Sequence, residues 1–384
     1  MKAELKLKIH NRFDITVTDK ATGEVAQTAQ AENIILDNMK TLLMTAHGAY
    51  GSHIMYGKGT GTLSKTRTTL FNQLGRQSAT VTSVDYSTTE ACKSERKCVI
   101  PLGTHTGEII TEVGLSMASG NATLIVTHAL LEDSEGNPVT IGPLTEMQEV
   151  TIYATTYASA TGTDIDVYID TTQTRPNMLL AVMLGVAGST EFMDHSSNLL
   201  RLQTNKSPTQ NNTNYLWASG AGIGTALQFQ ITTHDIELMQ SRTNKTRFGT
   251  THANYKVWSM VWGRSIHPTY WPICRTVFPN SIFNGYQFTN KAIGTGDGTT
   301  TVFNLPWSDI DTTKAYAFKV DGITLTEGTD YTLTNGLDLT SLTFATAPAN
   351  NTPITGDWWV GYIPKDTDHV IDVQMFFTYS WEGA

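Results

Sequence analysis

Apolar residues alternate with polar ones along stretch after stretch of this chain. Leu5, Leu7 and Ile9 do so first, then Phe13, Ile15 and Val17, and much later Leu227, Phe229 and Ile231. A period of two puts every second side chain on one face of an extended strand, so the pattern demands half-buried β-sheet. Turn residues punctuate it. Asp19 to Gly23 separates the Phe13 stretch from Val25, and residues 1–30 read as a β-meander. One segment changes period: Ile34, Ile35, Leu36, Met39, Leu42 and Leu43 fall at helical spacing, with Asn33 or Glu32 at the start and Gly48 beyond the end. It predicts a helix near 34–46.

Composition points the same way. Charged residues are only 16% of the chain, below the usual quarter, and Thr, Ser, Asn and Gly fill the gap, a balance that favours strands and turns. A length of 384 residues calls for two or three domains. The expected fold is mainly β, a multidomain antiparallel β-sandwich architecture with one clear helix in the N-terminal half. A formal charge of -9 spread along the chain argues against a nucleic-acid partner. No export signal is visible. The longest apolar run, Met178 to Ala187, is about half of the ~20 residues that span a bilayer, so a soluble chain without membrane insertion is expected. Cys92, Cys98 and Cys274 form no C-x-x-C. Cys92 and Cys98 could flank a hairpin tip and pair under oxidising conditions; nothing points to secretion, and reduced thiols are expected.

Residues 1–158 read as a first β-rich unit. His53 to Tyr56 and Ala79 to Tyr86 are strands, Ser87 to Lys97 an exposed polar excursion, and Glu112 to Met117 and Leu124 to Leu130 two strands joined by a turn. Thr151 to Tyr157 closes the unit. Between these strands, Tyr56 to Leu74 carries Gly57, Gly59 and Gly61 and reads as a shaped loop, with Leu70, Phe71 and Leu74 spaced for a short helix at its far end. Residues 159–291 form a middle β-rich domain, in which Leu179 to Leu184 fits helix and strand alike. Residues 292–355 hold short Thr-rich strands separated by Asp321-Gly322, Glu327-Gly328 and Asn335-Gly336, the pattern of a small inserted β-sandwich. Residues 356–384 supply closing strands that return to the middle domain, after a Pro-containing turn at Ile363-Pro364-Lys365.

Catalytic chemistry is not evident. No Gly-x-Ser-x-Gly elbow or phosphate loop appears, and Gly220 to Gly224 is followed by strand alternation where a dinucleotide motif needs a helix. His234-Asp-Ile-Glu237 lacks a second His at i+4. The pairs Asp164/Asp166, Asp309/Asp311 and Asp366/Asp368 lack the Gly and distal Glu of a calcium loop and read as turn residues. No cofactor and no metal are expected. Trp258, Trp262, Tyr270 and Trp271 crowd together with Arg264 and His267. Amphipathic aromatics of this kind stack on glycans or partner proteins, and they also serve core and subunit packing.

Five pieces in order, Asn33 to Asp37, the loop from Tyr56, Ile110-Thr-Glu-Val-Gly-Leu115, Val126-Thr-His-Ala-Leu130 and Thr151 to Tyr157, resemble a module of tailed-bacteriophage tail and baseplate proteins. Residues 292–355 look like the compact sandwich inserted in many phage fibre and tail proteins. The resemblance implies a non-enzymatic virion structural protein, a tail, baseplate or fibre-attachment component. It would be made in the host cytoplasm and act by self-association and docking onto other virion proteins. A receptor-binding adhesin for host-surface glycans, and a head-decoration or neck protein, are the alternative readings.

Overall fold

The computed structural model describes the chain apart from residues 1, 40–49, 86–91, 118–123, 164–165, 168–179, 181–182, 187–197, 204–205, 207–226, 229–230, 236–239, 244–245, 249–254, 267–268, 282, 368 and 382–384. The described residues form a mainly β, multidomain arrangement of several sheets. Strand β1 (Lys2–Asp19) is its spine. Along one side runs β10 (Gln148–Thr163), antiparallel from Glu4↔Thr163 to Asp19↔Gln148. The other side is shared: β28 (Ile371–Trp381) lies parallel to residues 2–9, and β2 (Val25–Glu32) lies antiparallel to residues 12–18. Beyond β10 come β7 (Cys92–Ile100) and β6 (Thr80–Asp85), and beyond β28 come β15 (Gln240–Thr243) and β14 (Ile231–Asp235), with β16 (Thr246–Phe248) also on β28. Residues 2–9 are therefore interior, whereas an exposed edge is the natural reading of a charged alternating N-terminal stretch. Exposed Lys6 and Lys8 alternate with buried Leu7 and Ile9, and a strand placed between two others tolerates charge on its outer face.

A five-stranded sheet in the order β3 (Ile34–Ile35), β9 (Thr127–Leu130), β8 (Glu112–Met117), β4 (Tyr50–Gly57) and β5 (Gln73–Ser78) shares a core with this nine-stranded one. Phe13, Ile15, Val17, Ile152, Ile54, Val113 and Leu115 meet there at 1% exposure or less. Each such side chain contributes about 1.5–3 kcal/mol by leaving water, so the alternation of β1 alone anchors the sheet. A smaller cluster of Leu36, Met55, Leu70 and Ile125 seals the far side.

The remaining strands follow in four sheets. One runs β11 (Asp166–Val167), β19 (Thr269–Val277), β18 (Ser259–Ile266), β12 (Asn198–Gln203) and β13 (Leu227–Gln228). A pair joins β17 (Tyr255–Val257) to β27 (Ile363–Lys365). A four-stranded sheet of β20 (Tyr286–Thr295), β26 (Pro353–Val360), β22 (Ala317–Val320) and β23 (Ile323–Thr324) shares a second core with β21 (Val302–Asn304), β25 (Ser341–Phe344) and β24 (Tyr331–Thr334). That core is aromatic: Phe288, Trp307, Phe318, Trp358 and Tyr362 fill it. The β22–β23 turn at Asp321-Gly322 has both residues at positive φ, 51° and 79°, which is why this hairpin needs that dipeptide.

Four local expectations are corrected. The helix expected over 34–46 starts later than expected: Ile34–Ile35 is strand, where Ile34 pairs with His128, helical backbone begins at Asp37, and residues 40–46 lie outside those described. Adjacent β-branched residues satisfied the helical spacing and took the sheet partner instead. Leu70, Phe71 and Leu74 form no helix: the chain bends there and enters β5. The polar excursion is largely β7, in which Cys92, Ser94, Arg96, Cys98 and Ile100 face inward. Cys92 and Cys98 thus sit six residues apart on one strand, about 20 Å, too far for a disulfide with each other. The expected turn at Ile363-Pro364-Lys365 is β27. Leu180 and Met183 are helical and Leu184 closes the turn on Leu180, so the ambiguous stretch resolves toward helix where it is described. Among the described residues no helix is long and apolar enough to cross a membrane.

Candidate functional site

The loop between β4 and β5 closes over one carboxylate. Glu112, on β8 and fully buried, accepts through Oε1 from the amides of Gly59 (2.9 Å) and Asn72 (2.8 Å). Through Oε2 it accepts from the amide of Phe71 (2.8 Å) and from His128 Nε2 on β9 (2.8 Å). Burial pushes the Glu112 carboxyl up, yet the His128 bond and the three amides outweigh it and hold the group below its ordinary range. Phe71 covers the imidazole at 5.0 Å, and the Arg67 guanidinium lies 3.7 Å over Phe71. Thr111 Oγ1 donates to the Gly59 carbonyl, Lys58 pairs with Glu108 at 2.6 Å, and the Lys58 amide donates to the Asn72 carbonyl.

The glycines are there for close approach. A Cβ on Gly57 would lie 2.4 Å from Glu112 Oε1, and one on Gly59 would lie 2.3 Å from Phe71 Cβ. Gly114 brings β8 within the same reach of the Thr127 carbonyl, 2.4 Å from where its Cβ would stand. So the three stretches quoted above for their order, the loop, Ile110 to Leu115 and Val126 to Leu130, are one constellation in space. Chemically it is a clamp: both carboxylate oxygens are engaged by donors of the loop and of β9.

A second buried charge ties a distant segment to the same core. Arg96 on β7, 1% exposed, donates to Ser94 Oγ (2.8 Å) and to the Leu184 carbonyl (2.7 Å) and lies over Tyr50. Ser94 Oγ donates to the same carbonyl, and the Tyr50 hydroxyl donates to the Met183 carbonyl. Burial pulls the guanidinium below its usual range. Burial also pushes the Cys92 and Cys98 thiols up to about 11 and about 12, which leaves them inert at neutral pH.

Trp258, the first of the aromatic candidates, is 4% exposed and packs on Tyr362 at 4.8 Å, with Lys206 Nζ 5.3 Å from its ring. Trp262 on β18 pairs with Cys274, while Tyr270 and Trp271 on β19 pair with Ser265 and Arg264. One hairpin therefore carries three of the four. Elsewhere the Tyr286 hydroxyl meets His369 Nε2 (2.9 Å), whose Nδ1 meets Asp366 (2.5 Å), a chain that links β20 to the approach to β28. Among the described residues no three His, Cys, Asp or Glu side chains converge for a metal ion. Asp311 caps its own turn through Thr313, and Asp309 pairs with Lys206. Asp164, Glu237, Asp368 and the glycines at 220–224 lie outside the described residues. An open groove of about 350 Å³ beside β1 and β2 is lined by Asp14, Gln30 and Asp133 among others.

Sequence reasoning quoted the stretches holding Glu112 and His128 without pairing them, and it placed Arg96 in an exposed excursion. The signal available was an isolated Glu and an isolated His inside otherwise apolar strands. The chain matches no protein-family model, no curated protein and no solved structure.

Proposed function

We propose that this chain is a non-enzymatic structural subunit that works by assembly, a tail, baseplate or fibre-attachment component of a tailed bacteriophage, located in the virion. The observation that carries the reading is the Glu112 clamp: three of the five stretches that resemble phage tail proteins converge on one buried carboxylate whose role is to hold a loop in shape. A rigid presented loop serves contact between proteins. The partners are other copies of the chain and other virion proteins. Light scattering of the purified protein, with antibody-labelled electron microscopy of particles, tests it: a multimer at the tail end supports the reading, and a monomer absent from particles ends it.

A second reading, an adhesin for host-surface glycans, draws on the β18–β19 hairpin, whose strands carry Trp262, Tyr270 and Trp271. Glycan-array binding lost in a folded Trp271→Ala variant would favour it.

A further inference from the structure

Among the described residues β6 pairs with β7 alone and forms one rim of the nine-stranded sheet. Its register carries a bulge: Thr80, Val81, Ser83, Val84 and Asp85 lie opposite Lys97, Arg96, Glu95, Ser94 and Lys93, and Thr82 is the extra residue. Thr82 Oγ1 donates to the carbonyl and carboxylate of Glu95, which puts it on the outer face with Ser83. Val81 and Val84 stand opposite buried Arg96 and Ser94 and therefore both face inward, yet Val81 is 42% exposed. Three residues apart, they would point to opposite faces of a regular strand; the bulge brings them to the same one.

The facing order along β6 is thus outward, inward, outward, outward, inward, outward, the same from either end. The chemistry repeats as well: polar, Val, hydroxyl, hydroxyl, Val, polar. A contact between identical copies requires a patch that matches itself after a half-turn. We propose that β6 pairs antiparallel with β6 of a second copy, Val81 against Val84 and Thr82 against Ser83, so that the nine-stranded sheet continues across a two-fold axis. The charges agree. The half-turn sets Asp85 of one copy beside Thr80 of the other, whose neighbour in β7 is Lys97, and no direct pair opposes like charges. The rim also carries neither Pro nor Lys, the residues that guard sheet edges.

Six paired residues cover less than the ~800 Å² per partner of a stable interface, so this contact alone gives concentration-dependent pairing that other contacts of a multimer reinforce. The inference rests on the assembly reading above and names its surface. Sedimentation velocity of the full chain over a wide concentration range tests it. The wild type shifts toward dimer with concentration, and Val81→Lys and Thr82→Pro weaken association tenfold or more. Val302→Lys, at a valine of similar exposure on β21, leaves it unchanged. Thermal unfolding checks each fold; should Thr82→Pro not fold, Val81→Lys decides. If folded Val81→Lys associates like the wild type, the β6 contact is wrong and the assembly reading stands. A wild type that stays monomeric throughout overturns both.

Discussion

Glu112 converts a loop of backbone amides into a fixed shape. Hydrogen bonds to a charged acceptor are worth roughly 1.5–3 kcal/mol each, and the cost of losing the acceptor is larger because three backbone N–H groups and a buried imidazole are left without it. Glu112→Ala is expected to cost about 3–5 kcal/mol, in the range for breaking a buried charged network. Glu112→Gln should cost nearly as much, because its amide would set a donor against the Phe71 amide or His128. Urea denaturation reads both; variants within experimental error of the wild type would refute the clamp. Its pH dependence has a defined sign. The folded carboxyl lies below its ordinary value, so the stabilisation is complete above that ordinary value and is lost as pH falls through the folded one. The Glu112→Ala variant should therefore show a flatter decline in stability toward acid.

At the scale of elements, close approach decides what the loop tolerates. Gly59→Ala would press a methyl group into Phe71 and the Glu112 carboxylate, an overpacking worth about 1–3 kcal/mol, whereas exposed Thr60→Ala next to it should leave the melting curve in place. A wild-type melting curve for Gly59→Ala would mean that the loop yields freely. The same scale shows how far the sequence was legible. Strand β1 was readable because Leu5, Leu7 and Ile9, and then Phe13, Ile15 and Val17, alternate with polar residues. Strand β7 was not, because its buried face is Cys92, Ser94, Arg96 and Cys98, and an inward Arg looks like surface until Tyr50 and the Leu184 carbonyl are in place. The helical spacing at Ile34 misled because two β-branched residues can serve either period. Glu112 and His128 were visible as residues and silent as a pair, since a contact between β8 and β9 is set by register.

At the scale of the whole molecule, β28 stitches the sequence together. Ile371, Val373 and Met375 enter the first core, and the strand pairs with β1, β15 and β16. Removing everything from residue 371 onward should take away about 5–8 kcal/mol of apolar burial besides the ladders. Limited proteolysis should then cut within residues 2–9, where the intact chain resists; equal resistance in the truncated chain would show that β28 is dispensable.

Because β1 lies parallel to β28, partners some 370 residues apart must find each other before the spine is complete. At roughly 5–20 residues per second, a ribosome needs on the order of 20–80 s to deliver the second after the first. During that interval residues 2–9 have β10 on one side and an empty lane on the other. Chains emerging together from one polysome would offer one another the same vacancy, so the pace of translation, and whatever shields that lane meanwhile, governs how much of the protein reaches its own closing strand.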